Sequence, residues 1–446
     1  MAQEALKRID EQVLASLGRP SRGYQLVLGF CLLLFIVGAI AYYFQVQIGM
    51  GVTGLSVPIG WGTYITNFVW WIGIAHSGTL ISAILYLFGT RWRNGISRSA
   101  EAMTIFAIMT AAMFPLIHLG RVWVFYWILP YPNTAGLWPN FKSPLVWDVV
   151  AVTTYLIVST LFFYLGLLPD LATARDNMPE GRRKRMYAFL SLGWTGRYNQ
   201  WRHYARCYLA LAALVTPLVI SVHSIVSWDF AMSLVNGWHT TIFAPYFVAG
   251  AIHSGLAMVI LLLIPLRKAL RLERIITPYY FEQMALLMIL MAAIIAYSYI
   301  IEHFIGWYSG DIFERQFFSY RAFGSVYSPL FWIMMVLNIG VPMTFFVKKL
   351  RTNLTYLLVA AILVNIGMWI ERFVIIVGSL SHDYLPSSWG IYAPRTVEIL
   401  VTGLSFGFFF GLYLSFVKLF PSVAMTELKE QALLGKEQAA ARLECL

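Results

Sequence analysis

The sequence predicts an all-α integral membrane fold of about ten transmembrane helices, arranged as two parallel-repeat four-helix bundles plus two peripheral helices. Three observations carry that prediction. Apolar stretches long enough to cross a bilayer recur ten times, Lys and Arg alternate between crowded and sparse loops, and two short words recur in the same order in both halves. The composition points the same way: 59% of residues are hydrophobic, 16% aromatic and 12% charged, about half the charge of a soluble protein. A water-soluble enzyme is excluded. The formal net charge of +11 sits in short loops between apolar segments, where it sets topology, so no nucleic-acid partner is expected.

In chain order, residues 1–23 form an amphipathic N-terminal segment. Leu6, Ile9, Val13 and Leu17 recur at helical spacing beside Lys7, Arg8, Glu11 and Gln12, as in a helix lying on the cytoplasmic membrane surface. The membrane domain covers 24–420. Span one, 24–46, is long for a signal-peptide core and lacks a small-residue cleavage pattern, so it is expected to stay in the mature protein. Spans two to five, at 62–88, 101–129, 144–168 and 203–227, make bundle one (about 62–227). Spans six to nine, at 240–265, 281–306, 327–348 and 354–378, make bundle two (about 240–378), and span ten is 396–420. Each is bounded by Pro, Gly or charge runs and matches the roughly 20 residues that cross a core about 30 Å thick. The tail, 421–446, carries Glu427, Lys429, Glu430, Lys436 and Glu437, polar enough for a solvated helix or a disordered segment.

Sidedness follows from the loops. One side holds Lys7, Arg8, Arg19 and Arg22, then Arg91, Arg93 and Arg98, then the run Arg182 to Arg185, then Arg267, Lys268, Arg271 and Arg274, then Lys348, Lys349 and Arg351. The other holds Lys142, Arg315, Arg321 and Arg395 only. The positive-inside rule puts both termini in the cytoplasm. The outer loops, as in Leu129 to Trp138 and Ser387 to Trp389, are rich in aromatic residues and proline, which suits interfacial anchoring and cover by partner proteins.

The repeat pairs Ile74-Ala75-His76-Ser77-Gly78 in span two with Ala251-Ile252-His253-Ser254-Gly255 in span six. It also pairs Ser143-Pro144-Leu145-Val146-Trp147 with Ser328-Pro329-Leu330-Phe331-Trp332. Both copies begin on the outer side, so the halves are parallel and each closes a four-helix bundle.

Cys31, Cys207 and Cys445 lie far apart without a CxxC, so no zinc, iron-sulfur or covalent haem site is expected. The only histidine spacing suggestive of haem ligation, His239 to His253, has its first member at the edge of span six, and no haem or metal is expected on this chain.

Ionisable side chains inside spans are costly unless paired, which makes each a functional candidate. The outer end of bundle one holds His118 and Arg121, Asp148 and its neighbour Trp147, and His223 with Asp229. A neutral imidazole and a membrane-edge carboxylate are proton acceptors, as the oxidation of a hydroquinone requires, with Asp229 relaying the proton or orienting His118. Trp123, Phe125, Tyr126 and Trp147 would line a slot for the ring. The alternative reading has His118 and Arg121 bridging helices and Asp148 stabilised at a helix N-terminus. Bundle two offers a candidate proton path of Glu302, His303, Glu371, Arg372, Tyr297 and Tyr299, with interhelical ion pairing as the alternative. His76 and His253, amid Gly73, Ala75 and Gly78, read as structural hydrogen bonders where helices approach closely.

The stretch Trp61-Gly62-Thr63-Tyr64-Ile65-Thr66-Asn67-Phe68-Val69-Trp70-Trp71-Ile72-Gly73-Ile74-Ala75-His76-Ser77-Gly78-Thr79 resembles the signature of the NrfD/polysulfide-reductase membrane subunit family, and the resemblance runs from about residue 50 to 420. Within that family, ten spans and cytoplasmic termini look most like the C subunit of alternative complex III. The resemblance implies a quinol:electron-acceptor oxidoreductase in a bacterial inner membrane, with menaquinol as the favoured quinol. It implies partners too: c-type haem subunits, a periplasmic iron-sulfur subunit and a homologous membrane subunit. It also implies quinol contacts at the positions of His118, Asp148 and Asp229. Two alternatives stay open: a sister membrane subunit without quinol, acting as scaffold or proton conduit, and the membrane anchor of a molybdenum-type reductase.

Overall fold

The computed structural model describes residues 2–90, 92–129, 136 and 140–433. Arg91, most of the loop from Leu129 to Trp138, and Lys436, Glu437 and Cys445 lie outside the described residues. The described chain is helical, and ten helices are long and apolar enough to cross a membrane: Arg22–Ile48, Thr63–Leu87, Ser97–His118, Pro144–Asn177, Tyr198–Ala231, Phe243–Ala269, Pro278–Tyr308, Ser328–Phe346, Leu354–Gly378 and Thr396–Leu419. They are spans one to ten below. The protein is a multi-pass membrane protein.

Spans two, three, four and five close a ring in which each packs on the next and five returns to two. Spans six to nine close a second ring, and spans two and six, which carry the repeated His-Ser-Gly word, join the two. Small residues set these approaches. A Cβ on Gly78 would overlap Thr104 Oγ1 and the Ala100 carbonyl of span three, and one on Gly255 would overlap Ser77. Span one is peripheral, packing on span ten along Cys31 and Gly38, while Gln45 bonds Tyr64 and the Ile117 carbonyl of spans two and three.

Three stretches differ from the sequence expectation. Span three ends at His118 rather than running to 129. Gly120 takes φ +70°, a left-handed turn that stops the helix, and Val122–Ile128 continues as a 3-10 segment. Arg121 therefore lies beyond the helix and is exposed. The apolar side of the N-terminal helix (Ala2–Ser16) covers protein rather than lipid. Val13 and Leu17 are fully buried, Gln12 donates to the Arg271 carbonyl, and Asp10 pairs with Lys429 at 2.6 Å. The described tail is packed as well. Ser422, Val423 and Met425 have no exposed surface, Thr426 donates to Asp170, and Glu427 pairs with Arg93 at 2.9 Å. Arg93 and Asp170 attract this segment because each would otherwise be a buried charge short of partners.

The N-terminal helix, the helix Arg182–Leu190 and the tail all gather at one end of the bundles, called here the basic face. Spans four and five have 34 residues each, about 50 Å of helix, so both project beyond a hydrocarbon core of about 30 Å.

Candidate functional site

Span four starts with Pro144 behind Ser143, the position where a fixed φ and a missing N–H cost nothing. Asp148 thereby falls just inside that span at the face opposite the basic one, 6% exposed. Span five arrives antiparallel and ends at Ala231, which brings Asp229 to the same level. The two carboxyls lie close enough to interact directly. A proton on either one would let the pair bond across the two helices. Oδ1 of each is buried without a hydrogen-bond partner.

His118 ends span three near this level with Nδ1 buried and unpaired, and it bonds neither carboxyl. The structure thus brings together two of the three residues expected to converge. Trp147 is half-buried; its indole N–H donates to the Phe141 carbonyl at 2.7 Å and its ring packs edge-on against Trp228. Trp123, Phe125 and Tyr126 stand on the 3-10 segment with exposed rings instead of lining a slot.

One and a half turns deeper, His223 lies edge-on to His76 with ring centroids 4.5 Å apart. His76 Nδ1 lies 2.7 Å from the Ile72 carbonyl and must be the donor there, because a carbonyl only accepts. That leaves His76 Nε2 and both nitrogens of His223 buried without partners. Beneath them the Thr79 and Tyr155 hydroxyls meet at 2.6 Å, and Thr104 donates to the Ala75 carbonyl. Toward the basic face the sequence reading missed a buried cluster. Arg98 pairs with Glu101 at 2.7 Å and Asp170 at 3.3 Å, while Tyr208 donates to both Glu101 and Glu427. Arg98 and Glu101 stand three apart at the start of a span, a spacing that signals an intrahelical pair. A cleft of about 660 Å³ opens beside this cluster, lined by Arg93, Trp201, Tyr204, Tyr208 and Glu427. Bundle one therefore carries polar side chains in steps from the carboxyl pair to the basic face.

Bundle two is partnered differently. Glu302 binds Arg321 at 3.0 Å, with both side chains at most 3% exposed, and the guanidinium lies over the Phe317, Phe318 and Phe331 rings. His303, expected beside Glu302, instead donates through Nδ1 to the Tyr299 carbonyl. Glu371 pairs with Arg372 at 3.2 Å, accepts from the Tyr299 hydroxyl, and accepts from Asn338 at 3.1 Å. Asn338 reaches it from the wide helical turn Val336–Gly340. Tyr297 is 59% exposed and stands outside this cluster.

The sequence profile of the family described as polysulphide reductase, NrfD matches residues 51–382. The membrane C subunit of a putative dimethyl sulfoxide reductase from Halobacterium salinarum is 29% identical over 56% of this chain and 52% of its own length. The C subunit of the selenate reductase from Mesobacillus selenatarsenatis is 25% identical over 67% and 68% of the two chains. An Hdr-like menaquinol oxidoreductase integral membrane subunit of Archaeoglobus fulgidus is 22% identical over 80% of each. The chain spans about half the length of the first of these curated relatives.

Proposed function

This chain belongs to the polysulphide reductase NrfD family, and from that premise we propose that it is the quinol-oxidising membrane subunit of a respiratory quinol:electron-acceptor oxidoreductase. The observation that carries the proposal is the Asp148–Asp229 carboxyl pair, with an unpartnered oxygen on each side chain. A hydroquinone presents two hydroxyl donors, and its oxidation releases two protons and two electrons. The unpartnered Asp148 and Asp229 oxygens accept hydrogen bonds from such a head, and its two protons leave one after the other through this pair. His118, at the neighbouring helix end, offers Nδ1 to the head's other side. With the basic face in the cytoplasm, protons leave on the periplasmic side. The electrons pass to an iron-sulfur subunit docked there and on to c-type haem subunits. Menaquinol, named in the Archaeoglobus relative, is the quinol we favour. The C subunit of alternative complex III is the family role we favour.

A second reading draws on the names of the dimethyl sulfoxide and selenate reductase relatives: the anchor of a molybdenum-type reductase, using the same site. Glu302, His303, Glu371, Arg372 and Tyr299 would then, or in a quinol-free sister subunit, serve as a proton conduit in bundle two.

The test is menaquinol oxidation and bound quinone content in the purified complex, for wild type, Asp148→Asn and His118→Ala. Asp148→Asn is expected to lower turnover about 10²-fold with the complex intact. Unchanged turnover in both variants overturns the proposal, and molybdopterin in place of haem c among the copurifying subunits selects the second reading.

A further inference from the structure

A cleft of about 700 Å³ runs between spans one, six and ten at the basic face, away from every polar group of the proposed redox site. Val27, Phe30 and Leu34 form one wall, Leu262 and Pro265 the facing wall, and Phe410 part of the floor. The cleft begins beside Gly23 and Ala269 and ends near Leu34. From Gly23 to Leu34 the helix rises about 16 Å, the depth of one leaflet of a hydrocarbon core about 30 Å thick. Spread over that depth, the volume leaves a cross-section of about 40 Å². A trough of that depth, apolar along its length, accommodates extended hydrocarbon chains.

Two polar groups near the wall are already satisfied within the protein, while the buried Tyr413 hydroxyl of the lining has no partner. The Tyr24 hydroxyl donates to the Leu414 carbonyl, and Lys418 donates to the Ser16 carbonyl at 2.8 Å while lying over the Tyr24 ring. The mouth is different. Arg22 sits between the lining residues Ser21 and Gly23, and Lys268 between the lining residues Leu266 and Ala269. Both are exposed, and neither makes a hydrogen bond or ion pair among the described residues. An apolar trough one leaflet deep with two uncommitted cations at its headgroup end matches one chemistry. We propose that this cleft binds an anionic phospholipid of the leaflet at the basic face, its acyl chains lying along span one and its phosphate held by Arg22 and Lys268.

The test uses the full chain with its natural partners in mild detergent. Phospholipid retained after washing is counted by native mass spectrometry, and affinity is measured with phosphatidylglycerol and with phosphatidylcholine as probes. Wild type is expected to retain one anionic phospholipid per chain. Val27→Trp, which fills the trough, removes it. Arg22→Gln with Lys268→Gln leaves the apolar walls untouched and lowers phosphatidylglycerol affinity by about tenfold or more, with phosphatidylcholine unchanged. Equal wild-type affinity for the two lipids, equal retention in all variants, or a quinone as the retained molecule overturns the proposal. Because the double variant changes only exposed side chains, its result stands even if Val27→Trp fails to fold.

Discussion

Asp148 and Asp229 stand on different helices with their carboxyls close together, which makes amide substitution at either one informative. Asp229→Asn keeps a donor toward Asp148, and with it the helix contact, but removes an acceptor. We expect menaquinol turnover to fall about 10²-fold while assembly, read by size-exclusion chromatography, is unchanged. Glu302 offers the opposite experiment. Its only ion-pair partner among the described residues is Arg321, and neither is more than 3% exposed. Arg321→Met leaves a buried carboxylate without its partner, and a loss of about 3–5 kcal/mol is expected in unfolding experiments. Glu302→Gln in the same chain should recover most of it. By sequence Arg321 belongs with the outer-side loop cations; nothing about residue 321 announces a partner nineteen positions earlier.

Span two shows how one short word can hold positions of unequal weight. A Cβ on Gly78 would overlap Thr104 and the Ala100 backbone, whereas one on Gly73 would meet Ala251 no closer than 3.6 Å. Gly78→Ala is therefore expected to destabilise by about 1–3 kcal/mol and Gly73→Ala to be near neutral, read as shifts in thermal inactivation. Nine of the ten span positions were legible to within a few residues at the ends facing the site, because Pro, Gly and charge runs mark where apolar chain leaves the bilayer. Span three was the exception. Val122–Ile128 is as apolar as the helix before it, and only the left-handed turn at Gly120 separates them. Wide turns such as Val336–Gly340, which brings Asn338 to Glu371, carry no hydropathy signal.

Across the whole molecule, the two chain ends meet on the basic face. Asp10 of the N-terminal helix pairs with Lys429, and Glu427 of the tail is held by Arg93, Ser97 and Tyr208 inside the end of bundle one. Glu427→Ala leaves Arg93 buried without its carboxylate, and a stability loss of about 3 kcal/mol is expected, measured as a lowered thermal midpoint of the purified chain. A tail that is solvated, as its polar composition suggests, would show no change.

Class, span number and the repeat were determined by the sequence alone, since each depends on where apolar runs fall along the chain, and that order survives folding. The residues at the outer end of bundle one were legible for the same reason: a carboxylate near a span end lies near that membrane face in any packing. Which of them touch was decided by tertiary structure. Lipid is as apolar as a helix interface, so these spans are apolar nearly all round and their sequences do not say which side turns inward. With each residue turning a helix by about 100°, only the packed bundles decide that Asp148 faces Asp229, that His118 bonds neither, and that Tyr297 stands outside the cluster its neighbour Tyr299 joins.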